Sequence, residues 1–257
     1  MKTALMVIAF GKTYHAYAKR MLESAAKYFI PHTPVVFTEH PYWQPQGVLG
    51  FHVPESLTYP EATLQRYRMF HSARSTLEQF DQVFYCDADM LWVDYVKGED
   101  IWSEGITATL HPGFMVERTC PRSGGIIPSF GEPERRRKSR ACIWTCHQNK
   151  YYCGGFNGGD AKAFLDMSAV LHENIETDRK NGIIAIWHDE SHLNCFLWNQ
   201  TMQGIGPSKV LTPRYCYPED YDGGYGWDGK DYPPILVALD KSKKAKTVFE
   251  AKQTHNL

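Results

Sequence analysis

The 257-residue sequence contains no apolar run that approaches the roughly 20 residues of a membrane-spanning helix. Its opening, MKTALMVIAF, is too short for a signal peptide and lacks a small-residue cleavage site. We therefore interpret Thr3 to Ala9 as a buried first strand and predict a soluble, cytoplasmic protein with no membrane span.

The sequence also lacks an excess of charge of either sign. Lysine and arginine total 28, aspartate and glutamate total 29, and the formal net charge is -1. Such a balance gives no general attraction to nucleic acid or to an anionic membrane surface. The one basic run, Arg135 to Arg140, would by itself suggest a nucleic-acid patch, but the balanced charge favours the plain alternative of a solvated loop. We expect no nucleic-acid partner.

Several familiar motifs are absent. The seven cysteines are odd in number and contain no CxxC pair, which argues against a disulfide framework or a zinc knuckle and favours reduced thiols. Neither GxGxxG nor GxxxxGK[ST] occurs, so a Rossmann dinucleotide fingerprint and a P-loop are both unsupported. No internal repeat or Pro/Ser-rich linker divides the chain, and we expect one compact unit.

What the sequence does contain is an alternation of strand and helix patterns. The run Thr3 to Ala9, a helical stripe over Tyr14 to Phe29 and the run Pro34 to Thr38 form a β-α-β unit, which is typical of a parallel sheet. The predicted class is α/β. The later predicted elements are a helix over Glu61–Phe80, strands at Val83–Cys86 and Ile106–Leu110, a turn at Gly154–Asp160, a helix from Asp160 to Gly182, a helix after Ile183–Trp187 and a strand at Ile235–Leu239.

Two carboxylates, Asp87 and Asp89, directly follow the predicted strand that ends at Cys86. Ligands of open α/β sheets bind beyond the carboxyl ends of strands, and two carboxylates there can hold a divalent cation that bridges a diphosphate. The triplet alone is a weak signal, because Asp220-Tyr221-Asp222 repeats it. On spacing alone, a strand-ending turn capped by an aspartate is the simpler explanation.

The segment WHDESHLN, Trp187 to Asn194, carries two histidines four residues apart. His188 and His192 could ligate zinc on one helix face, as in HExxH proteases. That motif requires glutamate directly after the first histidine, where this chain has Asp189, with Glu190 one position later. The pattern leaves open a zinc hydrolase, a catalytic carboxylate and a capped helix start.

The segment YYCGGFNGG, Tyr151 to Gly159, has four glycines within six residues. Glycine lets the backbone approach a ligand closely, because it has no side chain. The plain alternative is a tight turn in front of the predicted Asp160 helix.

Taken together, these segments resemble glycosyltransferase family 6, the family of the blood group A and B transferases and the α-1,3-galactosyltransferases. The absence of a tail, membrane anchor and stem makes the chain similar to soluble bacterial or phage members. The matching segments, in family order, are LESAAKYF (22–29), VVFT (35–38), CDADM (86–90), TLHPGF (109–114), the ERR pattern (134–141), YYCGGFNGG (151–159), NGIIAIWHDESHLN (181–194) and KVLTPRY (209–215).

The resemblance implies a GT-A fold, with a Rossmann-like nucleotide-binding lobe whose mixed sheet is flanked by helices. One catalytic domain over 1–257 would comprise this lobe, about 1–105, and an acceptor-binding half, about 106–257. The implied activity is retaining transfer of N-acetylgalactosamine, or galactose, from a UDP-sugar in α-1,3 linkage to a galactose-containing glycan, plain or fucosylated. The remaining alternatives are the zinc hydrolase and an inactive carbohydrate-binding relative.

The resemblance also assigns site residues by position. Asp87 and Asp89 would bind Mn²⁺ or another divalent cation, and Glu190 would be the catalytic nucleophile. The implied donor contacts are Phe10, Tyr14, Arg66, Asp87, Ala88, Cys153, Gly154, Gly155, His188, Asp189 and Lys243, with Lys241 as the second candidate for the lysine. The implied acceptor contacts are His111, Trp187, Glu190 and Glu219, the last out of clear register with the family pattern.

Overall fold

The protein, seen in a computed structural model, is described over residues 1–41, 43, 47–119, 124–144, 150–221 and 225–241. Its strands are β1 (Thr3–Ile8), β2 (Thr33–Thr38), β3 (Leu49–His52), β4 (Gln82–Cys86), β5 (Met90–Trp92), β6 (Ile106–Leu110), β7 (Arg118–Thr119), β8 (Ile126–Ile127), β9 (Tyr152–Asp160), β10 (Lys209–Leu211), β11 (Tyr217–Pro218) and β12 (Leu236–Ala238). Its helices are α1 (Gly11–Tyr28), α2 (Glu61–Leu64), α3 (Arg66–Ser72), α4 (Arg74–Leu77), α5 (Gly98–Ile101), α6 (Ala161–Lys180) and α7 (His188–Met202), with 3₁₀ turns at Pro112–Phe114 and Pro213–Cys216.

A seven-stranded mixed sheet in the order β10-β6-β9-β4-β1-β2-β3 forms the centre of the fold. Strand β1 runs parallel to β2 and β4, while β9 runs antiparallel to both β4 and β6. All six residues of β1 are buried, as expected for a parallel strand that is covered on both faces. The α/β prediction is confirmed.

The two faces of β1 pack against different helices. Met6 belongs to the cluster that contains Phe70 of α3 and Phe164 of α6. Leu5, on the opposite face, belongs to the cluster that contains Met21 of α1. This alternation follows from the two-residue period of a strand and places one helical layer on each side of the sheet. The sheet takes strands from both 1–105 and 106–257, and the division into two lobes at that point stays a prediction.

The turn predicted at Gly154–Asp160 is wrong, because these residues form most of strand β9. Glycine is depleted in strands, so the composition indicated a turn. Here the missing side chains allow close packing between β4 and β6: a Cβ atom on Gly158 would lie 2.3 Å from the carbonyl oxygen of Val83. The strand thereby brings Gly154 and Gly155 next to the end of β4, where Asp87 donates its backbone N–H to the Gly155 carbonyl at 2.8 Å.

The helix predicted over Glu61–Phe80 is also wrong as a single element, since the segment forms α2, α3 and α4. The backbone turns at Gln65, with φ -97° and ψ 1°, and again at Ala73. Arg66 is therefore the first residue of its own short helix. The helix predicted from Asp160 is confirmed: Asp160 caps α6 by accepting the Ala163 N–H, and Gly182 follows it with φ +67°.

A small sheet in the order β11-β12-β5 brings the C-terminal segment back to Asp89. Strand β12 pairs antiparallel with β5, and Leu239 donates its N–H to the carbonyl oxygen of Asp89 at 2.9 Å. The chain that follows β12 thus runs beside the Asp87-Ala88-Asp89 turn. Within the described ranges, none of the helices combines the length and apolar character needed to span a bilayer.

Candidate functional site

A cleft of about 590 Å³ opens at the carboxyl ends of β1 and β4. Open α/β sheets bind ligands at this position. The predicted donor residues that line it are Phe10, Tyr14, Arg66, Asp87 and Ala88. Two further lining residues, Tyr59 and Lys241, extend from the loop before α2 and from the segment after β12.

The guanidinium group of Arg66 lies at the base of this cleft, and its side chain is 5% exposed. It donates to the Gly154 carbonyl at 2.9 Å and to Asp87 Oδ1 at 3.2 Å, and its Nε lies 3.1 Å from Asp189 Oδ2. Burial alone would lower the pKa of Arg66, but Asp189, Tyr85 and Asp87 raise it well above its usual value. One buried cation therefore links the end of β4, strand β9 and the first turn of α7.

Asp87 and Asp89 differ in their partners. Asp87 Oδ1 accepts the Tyr85 hydroxyl at 2.5 Å as well as Arg66, whereas Asp89 Oδ2 lies 2.6 Å from the Lys241 ammonium group. Burial raises the pKa of Asp89, and nearby Asp87 raises it further, while Lys241 opposes both effects. The carboxylates of Asp87 and Asp89 are suited to a hard divalent cation. In this structure the Lys241 ammonium group supplies the positive charge beside Asp89.

Within the part of the chain that the structure describes, no three His, Cys, Asp or Glu side chains converge on one point. A cation on Asp87 and Asp89 would therefore take its remaining oxygen ligands from a diphosphate or from water, as Mg²⁺-type ions do in proteins.

Among the described residues, no His, Cys, Asp or Glu side chain completes a zinc-binding set with His188 and His192. His192 is buried with its Nε2 3.6 Å from Asp178 Oδ2, and burial lowers its pKa to about 4. The His188 ring instead contacts Tyr59, whose hydroxyl lies 3.2 Å from Nδ1. The two histidines thus have different surroundings, and the interpretation of this segment as HExxH-like is wrong.

The first turn of α7 carries two consecutive carboxylates, Asp189 and Glu190, which lie beside Arg66 and the Gly154 backbone. His188 has φ +51°, a left-handed conformation that is uncommon for a residue with a side chain. Its N–H bonds to the Ala185 carbonyl at 2.9 Å, and Ser191 Oγ accepts the N–H of Trp187 at the same distance. Backbone strain of this kind is concentrated at functional sites. Asp189 is buried as a result, while Trp187 is left 43% exposed.

Glu190 and Asp189 both have a raised pKa. Glu190 Oε2 accepts the Gly154 N–H at 2.7 Å, yet burial of the carboxyl group raises its pKa to about 8. Burial likewise raises the pKa of Asp189 to about 6, against the opposing effect of Arg66. Two carboxyl groups with raised pKa values next to the same residue, Gly154, are a physical indication of a functional site.

Gly154 and Gly155 are positioned where side chains would intrude. A Cβ atom on Gly154 would lie 3.4 Å from Arg66 Nη1 and 3.5 Å from Glu190 Oε2. On Gly155 it would lie 3.2 Å from Asp87 Oδ2. Cys153, which precedes them in β9, is buried beside the Cys216 thiol.

His111 is connected to Glu190 through Tyr151. Its backbone N–H donates to the Tyr151 carbonyl at 2.9 Å, and the two rings pack with centroids 5.9 Å apart. The Tyr151 hydroxyl faces the Glu190 carboxyl group and favours its charged form. His111 Nδ1 accepts the Gly113 N–H at 3.0 Å and burial lowers its pKa to about 4, so the neutral ring offers Nε2–H as a donor.

Two predicted residues have other outcomes. Glu219 Oε2 accepts the Asp240 N–H at 2.8 Å, and so holds the segment that carries Lys241. Lys243, the preferred candidate for the diphosphate contact, lies outside the described residues, whereas Lys241 reaches the cleft.

Tyr59, Tyr85 and Tyr151 were missed by sequence reasoning. Tyr85 could have been found, since it lies two residues before Asp87 and a strand presents such residues on one face. Nothing in the local sequence marks Tyr59, whose contact with His188 is far along the chain. Tyr151 begins the glycine-rich segment, but that segment gives no sign of the contact with His111.

Comparison with known proteins agrees with this geometry. A protein-family model described as Glycosyltransferase family 6 matches residues 1–226.

The rat Histo-blood group ABO system transferase 1 (Rattus norvegicus) is 32% identical over 246 residues, which cover 91% of this chain and 65% of the relative. The chicken (Gallus gallus) Globoside alpha-1,3-N-acetylgalactosaminyltransferase 1 is 30% identical over 257 residues, 95% of this chain and 67% of the relative. The Escherichia coli O-antigen biosynthesis glycosyltransferase WbnI is 25% identical over 192 residues, 74% and 72% of the two chains. The chain spans about two thirds of the length of these relatives.

The raised pKa of Glu190 predicts a pH-dependent cost to stability. Between about pH 4.5 and 8 this carboxyl group ionises in the unfolded protein but stays protonated in the folded one, so the folded state loses stability as pH rises through that window. Glu190→Gln removes the cost. We expect the Tm of Glu190→Gln, minus that of the natural protein, to grow from pH 5 to pH 8 in metal-free buffer without donor.

The control is Glu23→Gln, since Glu23 is an exposed residue paired with Lys19 on α1. Its Tm difference should stay flat over the same range. A flat profile for Glu190→Gln would show that Glu190 is not held in a desolvated site.

Proposed function

Because the chain belongs to glycosyltransferase family 6, we propose that it transfers N-acetylgalactosamine, or galactose, from a UDP-sugar with retention, in α-1,3 linkage, to a galactose-containing glycan. The observation that carries the proposal is the bond from the Gly154 N–H to Glu190, next to the Arg66 contact with Asp87. Through Gly154 and Arg66, these contacts bring the Glu190 carboxyl group close to the Asp87 end of the proposed cation site.

Asp87 and Asp89 are the residues that would hold Mn²⁺ or a similar ion. When bound, that ion would neutralise the charge that grows on the departing diphosphate. Lys241 and Tyr14 lie on the same side of the cleft, with Lys241 Nζ 3.3 Å from the Tyr14 hydroxyl. They are placed to contact the phosphates and the nucleotide.

Glu190 is the residue best placed for the chemistry at the sugar. Retention requires either a covalent glycosyl-enzyme or attack from the face that the leaving group vacates, and a carboxylate serves the first as nucleophile and the second as a stabilising charge. A positive charge that develops on the sugar favours the ionised form of Glu190, which burial of the carboxyl group disfavours. The interaction is therefore strongest in the transition state, where it contributes to rate.

Asp189 and His188 orient the donor sugar. His111 and Trp187 bind the acceptor. The exposed Trp187 ring can pack against the apolar face of a galactose unit, plain or fucosylated. The neutral His111 ring can donate Nε2–H to a hydroxyl. An inactive binding protein is the less favoured alternative, because Asp87, Asp89, His111 and Glu190 are all present.

The test is a transfer assay with UDP-sugars, Mn²⁺ and a panel of plain and fucosylated galactosides, in which the natural protein is compared with Glu190→Gln. The nearly isosteric variant should lose kcat by about two to four orders of magnitude with little change in donor KM, since the charge acts mainly in the transition state. Near-normal kcat in a folded variant would show that Glu190 is only a helix-start residue.

Donor choice is a separate prediction, based on Gly155. The family pattern places Gly155 at the donor sugar, and we expect kcat/KM to favour UDP-N-acetylgalactosamine over UDP-galactose. A Cβ atom there would press on Asp87 Oδ2, at 3.2 Å, so even the smallest side chain would disturb this part of the pocket. Gly155→Ala should reduce that ratio by about tenfold or more, the usual effect of one small group in a pocket. A clear preference of the natural protein for UDP-galactose would mean that this part of the pocket has been misassigned.

A further inference from the structure

The Lys241 ammonium group occupies the carboxylate side of the donor cleft. Its Nζ lies 2.6 Å from Asp89 Oδ2 and 3.3 Å from the Tyr14 hydroxyl, and 5.5 Å from the centre of the Tyr14 ring. The Asp89 side chain is only 16% exposed, so this ion pair is better shielded from water than a surface pair. A single positive charge therefore neutralises the aspartate that is proposed to bind the metal.

The backbone holds Lys241 in this position from two sides. Leu239 donates its N–H to the Asp89 carbonyl at 2.9 Å, and Asp240 donates its own to Glu219 Oε2 at 2.8 Å. Both anchors precede the lysine by one or two residues. The contact with Asp89 thus follows from the fold of the β11-β12-β5 sheet.

The other acidic groups of the cleft have a different counter-charge. Asp87 and Asp189 are both within 3.2 Å of the Arg66 guanidinium, which is buried and linked to three structural elements. Arg66 is thus a fixed part of the protein interior. Lys241 is 55% exposed and extends from the end of a strand, so its ammonium group can leave Asp89 by rotation of its own side chain.

We propose that Lys241 is an internal counter-cation of the metal site, which holds Asp89 until a divalent ion and a nucleoside diphosphate arrive together. The inference rests on the proposed function, in which Asp87 and Asp89 bind that ion. A divalent ion alone must displace the ammonium group from Asp89. A diphosphate gives the displaced ammonium group a new anionic partner, and metal and nucleotide therefore bind cooperatively.

The expected change in metal affinity follows from competition between the Lys241 ammonium group and the divalent ion for Asp89. If the lysine holds Asp89 for about nine-tenths of the time, the apparent affinity for a divalent ion alone is about tenfold weaker than the intrinsic affinity. Removing the charge of Lys241 should therefore raise the apparent affinity for a divalent ion by about tenfold. The same change should weaken nucleotide binding, because the phosphates lose a cation. One substitution is thus expected to move two affinities in opposite directions, which a general loss of structure would not do.

The experiment measures free Mn²⁺ by electron paramagnetic resonance during titration of the natural protein, Lys241→Met and Lys241→Arg. Without nucleotide, Lys241→Met should bind Mn²⁺ about tenfold more tightly, and Lys241→Arg, which keeps the charge, should stay close to the natural protein. Calorimetric titration of UDP in saturating Mn²⁺ should show weaker binding to Lys241→Met. Thermal unfolding of each variant checks that it is folded.

Equal or weaker Mn²⁺ binding by folded Lys241→Met, while the natural protein binds Mn²⁺ with UDP present, would overturn this inference and leave the proposed function intact. No Mn²⁺ binding by any of the three proteins, with or without UDP, would overturn both, because there would be no metal site for Lys241 to occupy.

Discussion

The buried guanidinium group of Arg66 is the interaction on which the rest of the site depends. Its contacts with Asp87, the Gly154 carbonyl and Asp189 join the end of β4, strand β9 and the first turn of α7. Removing one partner of such a buried charge network typically costs several kcal/mol, because the remaining charges lose their compensation. Only arginine can supply this geometry, since its planar fork presents separate N–H groups in three directions.

Two local features make the convergence on Arg66 possible. Strand β9 is built largely of glycine, so its backbone, rather than a side chain, meets the guanidinium group and the Glu190 carboxyl group. His188, in a left-handed conformation, begins α7. In the first turn that follows, Asp189 lies beside Arg66 and Glu190 accepts the Gly154 N–H. The two carboxyl groups have different environments: Asp87 lies 3.2 Å from the Arg66 guanidinium, while Glu190 lies in a desolvated position with a pKa of about 8.

The parts of the fold and of the site that depend on neighbouring residues could be predicted from the sequence. The buried strand after Lys2, the helix capped by Asp160 and the carboxylates after β4 each depend on neighbouring residues, and all three are found. The family resemblance identified Arg66 as a site residue. Spacing alone could not do so, because its partner Asp189 lies 123 positions later in the sequence.

The failures have physical reasons of their own. Strand β9 was misread because glycine is normally a strand breaker, whereas here its lack of a side chain is what allows β4 and β6 to pack around it. The tail lysine could not be chosen by sequence, because Lys241 and Lys243 have similar neighbours; the backbone bonds of Leu239 and Asp240 decide that Lys241 reaches Asp89.

The most direct test of the central claim is the steady-state kcat/KM for UDP-sugar transfer by Arg66→Lys, which keeps the charge but not the fork. The account predicts a loss of at least about hundredfold in a protein that still folds, because a lysine cannot hold Asp87, Asp189 and the Gly154 carbonyl together. Arg68→Lys, at an exposed arginine 3.5 Å from Glu55, should stay close to the natural rate. An Arg66→Lys enzyme within a few-fold of the natural rate would contradict the account.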